Sequence, residues 1–166
     1  MKTTAFFTRI LGWLTGSRLT VDNSVVRELD LNRFLGSWYE VARFNHFFER
    51  GMSQTKANYV LRKDGNIDVI NTGIKNGKPK TAKGKAKLTD TPALFRVSFF
   101  GPFYSDYRIM LLDADYRYML IGSGSDTYLW ILSRTPQLSD SDRTTILAEA
   151  LRRGYDTDKL IWVEQN

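Results

Sequence analysis

The sequence predicts an all-β protein: an eight-stranded antiparallel up-and-down β-barrel with one C-terminal α-helix packed on its outside and a short final strand. Three observations predict it. Turn signals recur from Gly36 onward, among them Asp64-Gly65-Asn66, Asn76-Gly77 and Asp113-Ala114-Asp115, between stretches rich in aromatic and β-branched residues. The connections are all short, so neighbouring strands pair antiparallel. Several stretches also alternate between charged and small or apolar residues, the period of a strand with one wet face. Eight such strands tend to close, because closure removes exposed edges.

The strands fall at about 37–45, 54–63, 66–75, 80–88, 94–100, 106–113, 117–122 and 127–134. Parity assigns their faces. In the fourth, Lys83, Lys85 and Lys87 must meet water, so Ala82, Gly84 and Ala86 face inward. In the fifth, Arg96 and Ser98 face out and Phe95, Val97 and Phe99 face in. In the second, Lys56, Asn58 and Arg62 leave Ala57, Tyr59 and Leu61 inward. The sixth and eighth strands are apolar on both faces. Their second faces, Met110, Leu112, Leu129 and Ile131, need a cover. The helix supplies it: Ser139 is the N-cap, Asp140 and Asp142 suit the positive end, Ile146, Leu147, Ala150 and Leu151 form the apolar stripe, and Gly154 ends it. Residues 159–163 form the final strand.

The inner face decides what the barrel encloses. Ala57, Gly73, Ala82, Gly84 and Ala86 are too small to fill the middle, whereas Tyr59, Tyr107, Tyr118, Tyr128 and Trp130 bring flat walls with polar tips. Small residues opposite amphipathic aromatics point to a cavity; the alternative is a solid core with aromatic filling.

Composition narrows the chemistry. The chain has 166 residues, 42% hydrophobic and 25% charged, which suits one folded domain. With no cysteine, disulfides, thiolate metal sites and cysteine nucleophiles are excluded. With one histidine, His46, a triad or a multi-histidine metal site would have to run through that residue. The net charge of +6 favours anionic partners without choosing among them. No apolar run is long enough to span a bilayer.

Residues 1–26 read as a leader or linker and residues 27–166 as the domain. Phe6, Phe7, Ile10, Leu11, Trp13 and Leu14 fall at helical spacing. The segment reads as a degenerate secretion signal, as an amphipathic helix on a membrane or on the domain, or as a mobile leader. Leu14-Thr15-Gly16-Ser17 is similar to a lipoprotein cleavage box with serine where the lipidated cysteine belongs.

Gly36-Ser37-Trp38-Tyr39 resembles the Gly-x-Trp signature of the lipocalins. Asp113-Ala114-Asp115-Tyr116 resembles their second motif, with alanine in place of threonine, and Leu129-Trp130-Ile131-Leu132-Ser133-Arg134 resembles the third. Phe48-Glu49-Arg50-Gly51, Val97 to Phe103 and Trp130 to Pro136 are similar to the bacterial outer-membrane branch related to apolipoprotein D. The resemblance covers about residues 28–164. Within it, Trp38 and Arg134 are expected to stack at the closed end, with the remaining Arg134 donors capping carbonyls around Leu31–Leu35. These two read as structural.

The resemblance implies binding, transport or storage of a small apolar ligand, and its bacterial branch implies fatty acids or lysophospholipids, in envelope lipid maintenance. It places the protein in the cell envelope, periplasm or outer membrane, rather than the cytoplasm. The candidate ligand contacts are Ala57, Tyr59, Val69, Asn71, Val97, Phe99, Tyr107, Ile109, Tyr118, Tyr128 and Trp130. Lys75, Lys78, Lys80, Lys83, Lys85 and Lys87 crowd one hairpin, either as a solvated face or as an anionic headgroup site. Arg43 and His46 lead into a loop made apolar by Phe44, Phe47, Phe48 and Met52. That loop reads as a lid, a membrane-touching tip, a dimer contact or local core.

The rival classes are a lipid-modifying enzyme, a haem carrier through His46 and a nucleic-acid binder. Gly122-Ser123-Gly124-Ser125 is not a nucleophile elbow, and Glu40 is the one inward carboxylate to test. The basic hairpin lacks outward aromatics that would stack bases. The expectation is therefore a non-enzymatic carrier with no cofactor, no metal and no nucleic-acid partner.

Overall fold

The computed structural model describes residues 20–166. The readings of the leader up to residue 19 lie outside the described residues. The elements are α1 (Leu31–Phe34), β1 (Gly36–Phe44), β2 (Ser53–Leu61), β3 (Ile67–Lys75), β4 (Lys78–Leu88), β5 (Leu94–Phe100), β6 (Phe103–Leu112), β7 (Tyr118–Gly122), β8 (Leu129–Ser133), α2 (Asp140–Arg152), a 3-10 turn (Thr157–Lys159) and β9 (Leu160–Trp162). Strands β1 to β8 pair with their sequence neighbours, and β8 returns to β1, so the barrel closes. The short β9 adds to the outside of β1, where Phe44 faces Leu160.

Closure gives two cores. Inside the barrel, Phe34, Trp38, Tyr59, Ile67, Val69, Ala86, Phe95, Ile109, Met119 and Ile121 pack together. Outside it, Ile146 and Ala150 of α2 lie on Val41, Met110, Leu120, Leu129 and Ile131. Ser139 caps α2 by accepting from the Asp142 N–H at 3.1 Å. Gly154 then takes φ +97°, the left-handed turn that a C-terminal glycine permits. Leu151, expected in the apolar stripe, is instead exposed, one residue beyond the arc that Ala150 buries.

Register shifts fall in β1, β2, β5 and β6, and those in β6 and β1 change the predicted facing of named residues. In β6 the register shifts between Ile109 and Leu111, so Leu112 packs on the inner core and not under α2. In β1 the shift lies between Glu40 and Ala42. Trp38 and Glu40 are inward; beyond the bulge Ala42 joins the outer core and Arg43 returns inward opposite Trp130. Leu61, read as inward, is exposed because it ends its strand beyond the packed floor.

One end of the barrel is sealed by a segment that the strand pattern does not show. Val25, Val26, Leu29, Leu31 and Leu35 pack against the inner core, and Phe34 is fully buried within it. Val26 donates to the Ile109 carbonyl at 3.0 Å and Asp22 to the Arg153 carbonyl at 2.8 Å, so residues 22–26 are pinned to the barrel and are not a free linker. The Arg134 guanidinium lies 3.7 Å above the Trp38 ring. It donates to the carbonyls of Ser37, Phe34 and Leu35 at 2.9, 3.2 and 3.0 Å. The closed-end cage anticipated for these residues is present.

Candidate functional site

The other end is open. Alternate connections of an up-and-down barrel share an end, so the β1–β2, β3–β4, β5–β6 and β7–β8 loops surround one mouth. Below it lies a cavity of about 570 Å3, within the roughly 300–1,000 Å3 of small-molecule sites. Its wall runs from Ala57 and Tyr59 through Val69, Asn71, Ala82, Val97, Phe99 and Tyr107 to Tyr128 and Trp130. Gly84 shows why the small residues of β4 matter: a Cβ there would sit 2.7 Å from the Phe99 ring. Phe99 therefore packs closely on β4 in space that only a glycine leaves open.

The cavity floor is aromatic. Phe34 sits between Tyr59 and Phe95, at ring separations of 4.7 and 5.4 Å, and Tyr107 stacks on Phe95. The Tyr59 and Tyr107 hydroxyls share a 2.8 Å hydrogen bond. Burial pushes both phenols well above the usual tyrosine range, so they stay neutral and satisfy each other without a ligand.

The upper wall carries a buried ionic cluster. Arg43 donates to Glu40 at 2.9 Å and lies 3.7 Å from the Glu49 carboxylate, whose Oε2 is also 2.9 Å from His46 Nε2 and accepts from the Trp130 indole at 3.4 Å. Arg43 also donates to the carbonyls of Glu49 and Met52 at 2.8 and 3.0 Å, tying the β1–β2 loop down. Burial, with the Glu49 charge beside it, pushes Glu40 up to about 8 despite Arg43. Burial also opposes ionisation of Glu49, but the contact with His46 and the charges of His46 and Arg43 outweigh it and hold this carboxyl below its ordinary range.

A pH prediction follows from Glu40. Between its ordinary 4.5 and about 8, the folded protein keeps a proton that the unfolded chain has released. Rising pH therefore favours unfolding across this window, and the Glu40 contribution is fully present only below it. Glu40→Gln removes that loss. Thermal melts at about pH 5 and about pH 8.5 should show the variant gaining on the wild type at the higher pH. Parallel pH dependence in the two proteins would contradict it.

Two lining residues each hold a buried side-chain oxygen with no partner: Thr55 Oγ1 and Asn71 Oδ1. Above them Lys75 and Lys80 reach the rim. They are inward-facing on β3 and β4, where Gly73 pairs with Lys80. The lysine hairpin thus divides. Lys83, Lys85 and Lys87 take the outer face, with Lys85 near Asp64 and Lys87 over the Tyr104 ring, while Lys75 and Lys80 flank the opening.

Of the sequence-derived contacts, Ala57, Tyr59, Val69, Asn71, Val97, Phe99, Tyr107, Tyr128 and Trp130 come together on the wall. Two do not. Tyr118 belongs to the outer core, because β7 presents Met119 and Ile121 inward and Tyr118 and Leu120 to the helix side. Ile109 is inside the barrel but lies in the packed floor, away from the cavity lining. Thr55 and Glu49 were missed. Thr55 shares the parity of Ala57 and could have been found by extending it; Glu49 sits in a loop, where no period marks it.

A hollow antiparallel barrel, plugged at one end and open at the other, defines a binding protein for a small apolar molecule. The family model described as a lipocalin-like domain matches residues 29–165. The chain belongs to the lipocalins, which are mainly binding and transport proteins for small hydrophobic ligands. It is 48% identical over 146 residues to outer membrane lipoprotein Blc of Escherichia coli K12, covering 86% of this chain and 82% of that protein. Mouse apolipoprotein D is 31% identical over 152 residues, covering 85% of this chain and 79% of that one. Among solved structures, insecticyanin from the tobacco hornworm Manduca sexta shares the fold with a TM-score of 0.71 at 20% identity, over 87% of this chain and 85% of that one.

Proposed function

We propose that this protein binds and carries a single-chain amphiphile, a fatty acid or lysophospholipid, for transport or storage in envelope lipid maintenance. The carrying observation is the polarity gradient of the cavity. Its lower wall is aromatic and aliphatic, which suits an acyl tail. Its upper wall carries the polar side chains of Thr55 and Asn71, and its rim offers Lys75 and Lys80, which suit a hydroxylated, anionic head. The role is binding without chemistry, and the wall residues named above are the ligand contacts. The identity with an outer membrane lipoprotein supports an envelope location. The source and destination of such a ligand is a bilayer, so the carrier works by peripheral contact with a membrane.

Calorimetric titration with lysophospholipid and with fatty acid tests the reading. Trp130→Ala removes a wall, and Ala82→Trp fills the cavity. Each should weaken binding by roughly tenfold or more. Unchanged affinity in both variants would place the ligand elsewhere. Mass spectrometry of lipid extracted from the purified protein would identify the natural ligand.

A further inference from the structure

Four phenylalanines ring the mouth. Phe47 and Phe48 stand on the β1–β2 loop, and Phe100 and Phe103 flank the β5–β6 turn. Phe47, Phe100 and Phe103 are 73%, 68% and 78% exposed. Such exposure is costly for a large apolar side chain, and here it recurs on two loops that share one end of the barrel. Phe48, Phe100 and Phe103 also line the cavity, so the apolar ring and the ligand entrance are one surface. Beside them stand Lys75 and Lys80 at the rim, exposed Lys78 opposite Lys75 on the same hairpin and exposed Arg50 on the β1–β2 loop. Glu49, the acidic residue of that loop, is buried and turned into the ionic cluster, and Asp106 is paired with Arg96 and Arg108.

We infer that this rim is a docking surface for an anionic phospholipid bilayer, with Phe47, Phe100 and Phe103 entering the interface and Lys75, Lys78 and Lys80 meeting headgroup phosphates. This rests on the carrier reading and adds the surface through which the ligand passes. Charge selects the bilayer over a second copy of the chain. Two rims packed face to face would oppose their own lysines, whereas an anionic membrane complements them. The geometry lets an amphiphile move between membrane and cavity without its tail crossing water. Among the described residues no helix is long and apolar enough to cross a membrane, and the contact inferred here is peripheral.

The absence of cysteine makes the test direct, because one introduced thiol is labelled uniquely. An environment-sensitive fluorophore is attached to the full chain at Pro102→Cys, between the two turn phenylalanines, and in a second protein at Asp115→Cys, at the closed end. Vesicles of phosphatidylcholine, with and without a minor fraction of phosphatidylglycerol, are added. The expected result is a blue shift at position 102 that grows with phosphatidylglycerol and falls with salt, and none at position 115. In the Phe47→Ser background, which leaves the cavity lining intact, the vesicle partition should drop by roughly tenfold. Lys75→Glu/Lys78→Glu should remove the phosphatidylglycerol dependence. No shift at 102, or equal shifts at both positions, would overturn the inference. So would a shift that needs no vesicles and tracks protein concentration, which would assign the rim to a second copy. Calorimetry of Phe47→Ser with monomeric lysophospholipid keeps the two readings apart: retained binding with lost docking supports the surface, and wild-type docking without any ligand binding would instead sink the carrier.

Discussion

Arg43→Leu should lower folding stability by about 3–5 kcal/mol, the usual cost of stranding a buried charge. Arg43 is 2% exposed and is the cation between Glu40 and Glu49. Without it, the ionised Glu49 loses a cation in a wall that water barely reaches, the protonated Glu40 loses its donor, and the carbonyls of Glu49 and Met52 lose theirs. The loss should shrink as pH falls, because protonation of Glu49 removes the buried charge that Arg43 offsets. A second variant separates the charge from the packing. In Glu40→Leu/Arg43→Leu the buried carboxyl left without its donor is gone, while Glu49 keeps His46 and Trp130. Replacing a whole buried pair by apolar residues is often near neutral, so most of the stability should return. Denaturant melts of the wild type and both variants decide it; a double variant no better than the single would show that Arg43 matters for shape and not for charge.

The barrel was legible because its evidence is periodic. Lysines at 83, 85 and 87 against Ala82, Gly84 and Ala86 fix the faces of β4, and the observed wall follows them. What periodicity could not carry is the irregular part. A bulge is one extra residue, and those in β1 and β6 turned Arg43 and Leu112, respectively, to the barrel interior. Tyr118 was assigned inward on its amphipathic character, but at a strand start beside α2 a tyrosine packs equally well outside. The plug formed by residues 25–35 has no strand period, and a four-residue helix is too short to announce itself. The ionic cluster shows the same limit. Its Glu40 and Arg43 were visible on β1, yet Glu49 and His46 reach them from a loop whose path only tertiary packing determines.

Trp38→Ala should cost about 3–5 kcal/mol, the range for deleting a buried large aromatic, yet leave ligand affinity in the folded protein close to wild type. Trp38 is fully buried, donates its indole N–H to the Phe34 carbonyl at 2.8 Å and carries Arg134 on its face. Its removal opens a void under the floor and loosens the guanidinium that caps the plug. Trp38→Phe keeps most of the volume but neither the indole donor nor the stronger cation–π surface, so it should lose less. A double-mutant cycle with Arg134→Ala should return a coupling of about 0.5–2 kcal/mol for the stacked pair. The contrast with Trp130 is the informative part. Trp38 does not line the cavity and Trp130 does, so stability and affinity should fall in opposite proportions in the two alanine variants. Denaturant melts and titration of one lysophospholipid on both proteins read the two quantities side by side. A Trp38→Ala protein that stays folded but loses its ligand as completely as Trp130→Ala would mean that the plug shapes the cavity and does not merely close it.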